Sequence, residues 1–248
     1  MDTAFVIGNG ESRNIFPIEH LKHKGIVYGC NAIYRDHPWL CDKIVSVNEE
    51  MYQEVKRWMD FAKPKGIVLH GPKQLSRWNF SDGLDDAIPR GLKLYRMWRG
   101  GSSKQKYGNK IKTVDFSEAK GSGCSAVLLA AESGAKKVVI LGFDILGAQQ
   151  WEMESMSRIQ NNCYKNTVNY PQRESMKGYL KYEWMYQLRQ TFRKFPDTQF
   201  YYINRREYIN ANHYLPYYFN LPNIRLGIYA DLQRWINGQQ DDIKWIKY

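Results

Sequence analysis

The residues best suited to hold an anion are two glycine turns, each with a serine, and a set of polar residues that close apolar runs. The first turn is Gly8-Asn9-Gly10-Glu11-Ser12, directly after the apolar run Ala4 to Ile7. Glycine lets the backbone approach a ligand closely. A helix opening at Ser12 would present free N–H groups and the positive end of its dipole to a phosphate. The second turn, Gly121-Ser122-Gly123, opens a segment rich in small residues that runs to Ala135. With Ser122 and Ser125 it forms a second anion-binding end. Other apolar runs finish on Asn31, Asn48, His70 and Asp144.

The elements that must position these groups follow from hydrophobic periodicity. Short apolar runs bounded by turn residues read as buried parallel strands at 4–7, 25–31, 43–48, 65–72 and 137–144, with a last strand at 199–204. Glu49 to Ala62 reads as a helix with Met51, Val55, Trp58 and Met59 on one face, and Ser175 to Phe195 as another. This is an α/β pattern with a mostly parallel sheet, in which ligands bind beyond the carboxyl ends of the strands. Asn9, Asn31, Asn48 and His70 are expected to share that rim.

Two stretches break the pattern. Residues 73–120 form a basic insert, with eleven Lys/Arg against five Asp/Glu. Its aromatic residues are interleaved with cations, and Arg96, Trp98, Arg99, Lys104 and Lys106 are the expected acceptor or nucleic-acid contacts, since such mixtures track a backbone and stack bases. Residues 145–175 lack a core pattern and read as a lid over the rim. The nucleotide-binding α/β domain is thus assigned to 1–204, and 205–248 to an aromatic-rich extension packed on it.

Composition narrows the class. The chain of 248 residues carries a formal charge of +11, which favours anionic partners such as nucleotides or nucleic acid. Its four cysteines have no CxxC spacing, so neither a disulfide framework nor a zinc site is expected. No run reaches the ~18 apolar residues of a membrane span, and the chain starts on a strand rather than a leader. The expectation is a cytoplasmic protein (host cytoplasm if viral) without stable membrane insertion. The aromatic tail suits a homo-oligomer contact.

Laid out in order, these residues resemble the bacterial sialyltransferases of glycosyltransferase family 42 and the related 6-hydroxymethylpterin diphosphokinase-like group. The resemblance rests on Gly8-Asn9-Gly10-Glu11-Ser12, Gly29-Cys30-Asn31-Ala32-Ile33-Tyr34, Val47-Asn48, and Gly121-Ser122-Gly123 leading into Ala135 to Asp144. It covers about 1–70 and 120–145. The family usually has Pro where this chain has Glu11. The resemblance implies a single Rossmann-like (GT-A-like) domain with a lid, holding a nucleotide-sugar donor through Asn9, Asn31, Asn48 and Ser122. It also implies two lid tyrosines on the donor phosphate; Tyr164 and Tyr170 have the family's spacing of six. The family's base is a lid histidine, and 145–175 contains none.

Sugar transfer requires grip on the donor phosphate, stabilisation of an oxocarbenium-like transition state and a base for the acceptor hydroxyl. The glycine turns (Gly8, Gly10, Ser12, Gly123) and the tyrosines suit the first two. Asp144 is the first choice of base, His70 the second and Glu174 the third. The chain has no Asp-x-Asp, so a metal-independent transferase without a cofactor is expected, using a UDP- or CMP-sugar as co-substrate. The leading acceptor is a hydroxymethylated base in viral DNA, reached by base extrusion. The alternatives are a glycan acceptor, a pterin diphosphokinase-like enzyme, and a non-catalytic nucleic-acid-binding protein.

Overall fold

Seven parallel strands form one sheet in the order β4-β3-β2-β1-β5-β6-β7. They are β1 Thr3–Ile7, β2 Ile26–Cys30, β3 Lys43–Val45, β4 Val68–His70, β5 Lys137–Leu141, β6 Gln199–Asn204 and β7 Ile224–Ile228. The computed structural model describes residues 2–70, 121–145, 162–170, 179–211, 215–239, 243, 245 and 246. The α-helices are α1 Glu49–Ala62, α2 Ser122–Glu132, α3 Tyr179–Lys194, α4 Arg206–Ala211, α5 Leu215–Phe219 and α6 Tyr229–Ile236.

The strands alternate between two cores. In β1, Ala4 and Val6 face a core built with α2, α3 and α5; Phe5 and Ile7 face one built with α1 and α6. In β5, Val138 and Ile140 join the first core, and Val139 and Leu141 the second. A central strand covered on both faces has no use for polar alternation, which is why these strands read as continuous apolar runs. Each buried Val, Ile, Leu or Phe among them contributes about 1.5–3 kcal/mol by leaving water. The arrangement is α/β and Rossmann-like.

Two sequence expectations need correction. The segment after the first glycine turn is not an α-helix capped by Ser12. It is a 3-10 turn, Glu11–Ile15, which starts after Gly10 and contains Ser12. Strand 199–204 is also not the last, because β7 pairs with it in parallel from Phe200–Ile224 to Asn204–Ile228. Apolar Ile224, Leu226 and Ile228 alternate with Arg225 and Gly227, and a search for continuous apolar runs passes over that pattern. Leu226 also exchanges both backbone hydrogen bonds with Ile246, each 2.9 Å, in an antiparallel bridge beyond β7.

The chain winds outward from β1 to β4, then returns to start β5 on the other side of β1. The switch point therefore lies between the carboxyl ends of β1 and β5. Backbones close tightly there: Gly8 N–H donates to Leu141 O at 2.8 Å and Gly10 N–H to Gly142 O at 2.7 Å. A Cβ on Gly8 would stand 2.3 Å from Gly142 O, so no larger residue fits without displacing β5. No described helix is long and apolar enough to cross a membrane.

Candidate functional site

The site is assembled at the carboxyl ends of β1, β2 and β3. Asn9 follows β1. Asn31 follows β2 and takes a left-handed conformation (φ 50°), which asparagine tolerates better than most residues. Ser122 opens α2, which packs against β1, β2 and β3. The small residues of α2 allow that close packing, and they bring its N-terminus to the rim.

Four of the expected donor-binding residues, Asn9, Asn31, Ser122 and Tyr170, join one polar cluster. Ser122 Oγ donates to Asn31 Oδ1 at 2.8 Å and accepts from Val47 N–H at 3.1 Å. Asn9 Nδ2 donates to Tyr170 Oη at 3.0 Å. The Asn31 side chain and the Ala32 backbone lie near the same hydroxyl and favour its ionised form. Burial pushes that phenol well above its ordinary pKa and the Cys30 thiol adds to the rise, while Asn31 and Ala32 oppose it. Asn9 Oδ1 is buried and makes no hydrogen bond.

Residues 162–170, the described part of the stretch expected as a lid, pack onto this cluster. Gly10 and Asn162 form an antiparallel bridge, and Cys163 N–H donates to Asn9 O at 2.8 Å. Two arginines pin the tyrosines. Arg13, 1% exposed, donates to Gly8 O at 3.0 Å, Tyr164 Oη at 2.7 Å and Asp36 Oδ2 at 3.2 Å. Burial alone would lower its pKa; Tyr164, Cys163 and Asp36 outweigh that and raise it. The Arg13 guanidinium stands 5.3 Å from the Tyr164 ring centroid, and that of Arg35 stands 5.7 and 5.9 Å from Tyr164 and Tyr170. Such contacts are worth about 0.5–1 kcal/mol at exposed sites and more when desolvated.

Glu54 of α1 completes the latch. It accepts from Arg35 Nε at 2.8 Å and Nη2 at 2.6 Å, from the Tyr34 hydroxyl, and from Asn169 Nδ2. Burial would raise the Glu54 pKa, but the hydrogen bonds from Tyr34, Arg35 and Asn169 together bring it below the usual value.

Asp144 faces the first turn. One carboxylate oxygen accepts from Ser12 N–H at 2.8 Å and the other from Asn204 Nδ2 at 3.3 Å. Ser12 Oγ pairs instead with the Tyr229 hydroxyl at 3.0 Å. The anion expected at the first turn is therefore supplied by the protein itself. Gly10 belongs to the same arrangement: a Cβ there would come within 2.5 Å of Asp144 Cγ. Burial raises the Asp144 pKa, against the opposing Ser12 and Asn204 hydrogen bonds and the Arg205 charge.

The other expected residues lie apart from the cluster. Asn48 caps α1, with its Oδ1 accepting from Met51 N–H at 3.1 Å. Gly123 lies against the Phe143 ring. Tyr164 is engaged with Arg13. His70 ends β4 in register with Val45 and Cys30, so its side chain shares their sheet face, the face that carries α2. Its Nε2 is buried without a hydrogen bond, as is Ser46 Oγ on β3's end. Burial lowers the His70 pKa, and the Lys43 charge lowers it further. Glu174 and the contacts Arg96, Trp98, Arg99, Lys104 and Lys106 lie outside the described residues.

Sequence reasoning missed Arg13, Arg35 and Glu54, which hold the lid, and Asn204, which orients Asp144. Arg13 and Arg35 each follow a quoted motif by one residue and Asn204 closes the run 199–204, so position flagged them, but only the packed structure shows their partners. No protein-family model matches this chain, and neither a curated protein nor a solved structure matches it.

Proposed function

We propose that the protein is a glycosyltransferase that moves a sugar from a nucleotide-sugar donor to a hydroxyl acceptor without a metal ion. One observation carries this reading: the ends of two neighbouring strands bring Asn9, bonded to the Tyr170 hydroxyl, and Asn31, bonded to Ser122 Oγ, together beside the N-terminus of α2. Groups gathered in this way suit the oxygens of a leaving nucleotide, whose charge grows as the sugar departs. Ser122 orients Asn31 and holds α2 against β3. Tyr170 shares its hydroxyl with the leaving phosphate.

The base in this reading is His70. Asp144 already serves the Ser12 amide and Asn204, with both oxygens engaged. A base must be unprotonated at working pH, and burial together with Lys43 favours neutral His70. The acceptor hydroxyl loses its proton to His70 Nε2 as its oxygen bonds to the anomeric carbon. The bond from that carbon to the donor phosphate breaks, and the nucleotide leaves with the electron pair. The net charge of +11 favours an acceptor carried on nucleic acid over a neutral glycan, and a hydroxymethylated base provides the hydroxyl.

A thermal-shift panel of UDP-, CMP- and GDP-sugars tests the donor site. A true donor at 100 times its Kd adds about 2.7 kcal/mol of stability. No shift with any nucleotide sugar overturns the proposal. Intact-mass analysis of hydroxymethylated oligonucleotides after incubation with enzyme and donor then decides the acceptor.

A further inference from the structure

A groove of about 500 Å³ opens at the other end of the sheet, among the loops that lead into β2, β3 and β4. Its volume is within the ~300–1,000 Å³ typical of small-molecule sites. The residues that matter in its wall are Lys22, Trp39, Asp42, Lys63 and Lys65. Three lysines and one carboxylate thus line it. That carboxylate is already engaged: one Asp42 oxygen accepts from Val27 N–H at 2.8 Å.

Trp39 is 57% exposed, which is unusual for so large an apolar ring. The ring does not hang free. It stands 6.4 Å from Trp58, which in turn stacks on Tyr34 at 4.7 Å, so a packed aromatic series braces it. A braced, exposed indole among lysines is a stacking surface with counter-charges at its side. Phe61, 90% exposed on the last turn of α1, adds aromatic surface close in sequence to Lys63 and Lys65. Lys63 is held in place as the left-handed cap of that helix (φ 45°), its N–H donating to Met59 O.

We infer that this groove binds single-stranded nucleic acid, with a base stacked on Trp39 and the flanking phosphates among Lys22, Lys63 and Lys65. A flat π-face against the indole is compatible with any base, so binding is insensitive to sequence. The three lysines lend it salt dependence through counterion release. The groove lies across the sheet from the Asn9–Asn31–Ser122 cluster, at the opposite ends of the same strands. Binding here involves none of the donor-site residues and stands independently of the proposed transferase reaction.

The test is photocrosslinking of the full chain to a single-stranded oligonucleotide carrying 5-iodouracil, with peptide mapping, alongside fluorescence anisotropy of the same strand. The expected adduct maps to Trp39. Trp39→Ala weakens binding by about tenfold or more, while Trp39→Phe keeps most of it. A Lys63→Glu, Lys65→Glu double variant lowers the slope of log affinity against log salt by about 1.4, two contacts at ~0.7 each. Adducts confined to other residues, or unchanged affinity in Trp39→Ala, overturn the inference. So does absent binding to any single strand, or competition by duplex DNA or anionic lipid vesicles as effective as that by single strand. Circular dichroism verifies that the Ala variant is folded. The donor-induced thermal shift, read on the same variant, reports separately on the transferase site.

Discussion

Ser122 Oγ donates a 2.8 Å hydrogen bond to Asn31 Oδ1, joining residues 91 positions apart in the chain. The same oxygen accepts from Val47 N–H. One hydroxyl thus ties the ends of β2 and β3 to the start of α2. Ser122→Ala leaves an amide and a carbonyl oxygen without their partner. The expected cost is about 1–3 kcal/mol of stability, read by urea denaturation. Donor affinity should fall about tenfold by calorimetry, equivalent to about 1.4 kcal/mol. Full donor affinity in a destabilised variant would make Ser122 a purely structural residue.

Removal of the His70 imidazole separates the two candidate bases. His70→Ala should lose turnover by a factor of about 100 to 10,000 while donor binding persists. Asp144→Asn should keep measurable turnover, because its carboxylate orients the first turn rather than the acceptor. The reverse pattern would return the role to Asp144.

The pH profile carries a sign. Burial and Lys43 hold the His70 pKa below its usual value. Neutral His70 therefore persists to lower pH, and the acidic limb of kcat/KM falls below the ordinary ~6.5. Lys43→Gln removes a cation that disfavours protonation, so that limb should move upward in pH. The same depression makes His70 contribute to stability above its unfolded pKa, a contribution lost as pH falls through that value into the window below it.

Tyr164 and Tyr170 should part company under mutation. Tyr164→Phe deprives buried Arg13 of a 2.7 Å acceptor. Stability is expected to drop by about 1–3 kcal/mol with donor affinity little changed. Tyr170→Phe removes the oxygen that accepts from Asn9 Nδ2, and its effect should appear in donor affinity. Paired melting curves and titrations of the two variants make the comparison.

The Glu54 latch also responds to acid. Its folded pKa is depressed, so the stabilisation it supplies is present above the unfolded value, ~4.3, and lost as pH falls through the folded one. Amide exchange of residues 162–170 should accelerate on passing from about pH 6 to about pH 3, relative to β1 and β5. Glu54→Ala should show the faster exchange already at neutral pH. Equal protection in both proteins would remove Glu54 from the latch.

How much of this was legible in the chain depends on the kind of signal. The central strands and α1 follow from apolar runs and from the helical spacing of Met51, Val55, Trp58 and Met59, because those patterns are local. Helix α2 also follows from Gly121-Ser122-Gly123. The first turn misled, since Gly8-Asn9-Gly10 looks like an open anion site. What fills it, Asp144, is 132 residues from Ser12. Strand β7 escaped because an edge strand needs only one apolar face, and Arg225 and Gly227 interrupt its run. Arg13, Arg35 and Glu54 resemble ordinary surface charges until the sheet brings the lid segment onto them. Periodicity reports burial, and it is silent on which charges become partners across long separations.

The antiparallel pairing of Ile246 with Leu226 leaves the outer margin of the sheet with a sealed stretch. Trp245 lies across Gly227 on the same margin. Trimming the chain before Trp245 would bare that backbone as a template for strands from other molecules. Such a shortened protein should self-associate with rising concentration in light scattering, as expected if Trp245 and Ile246 guard that margin against fibre-like assembly.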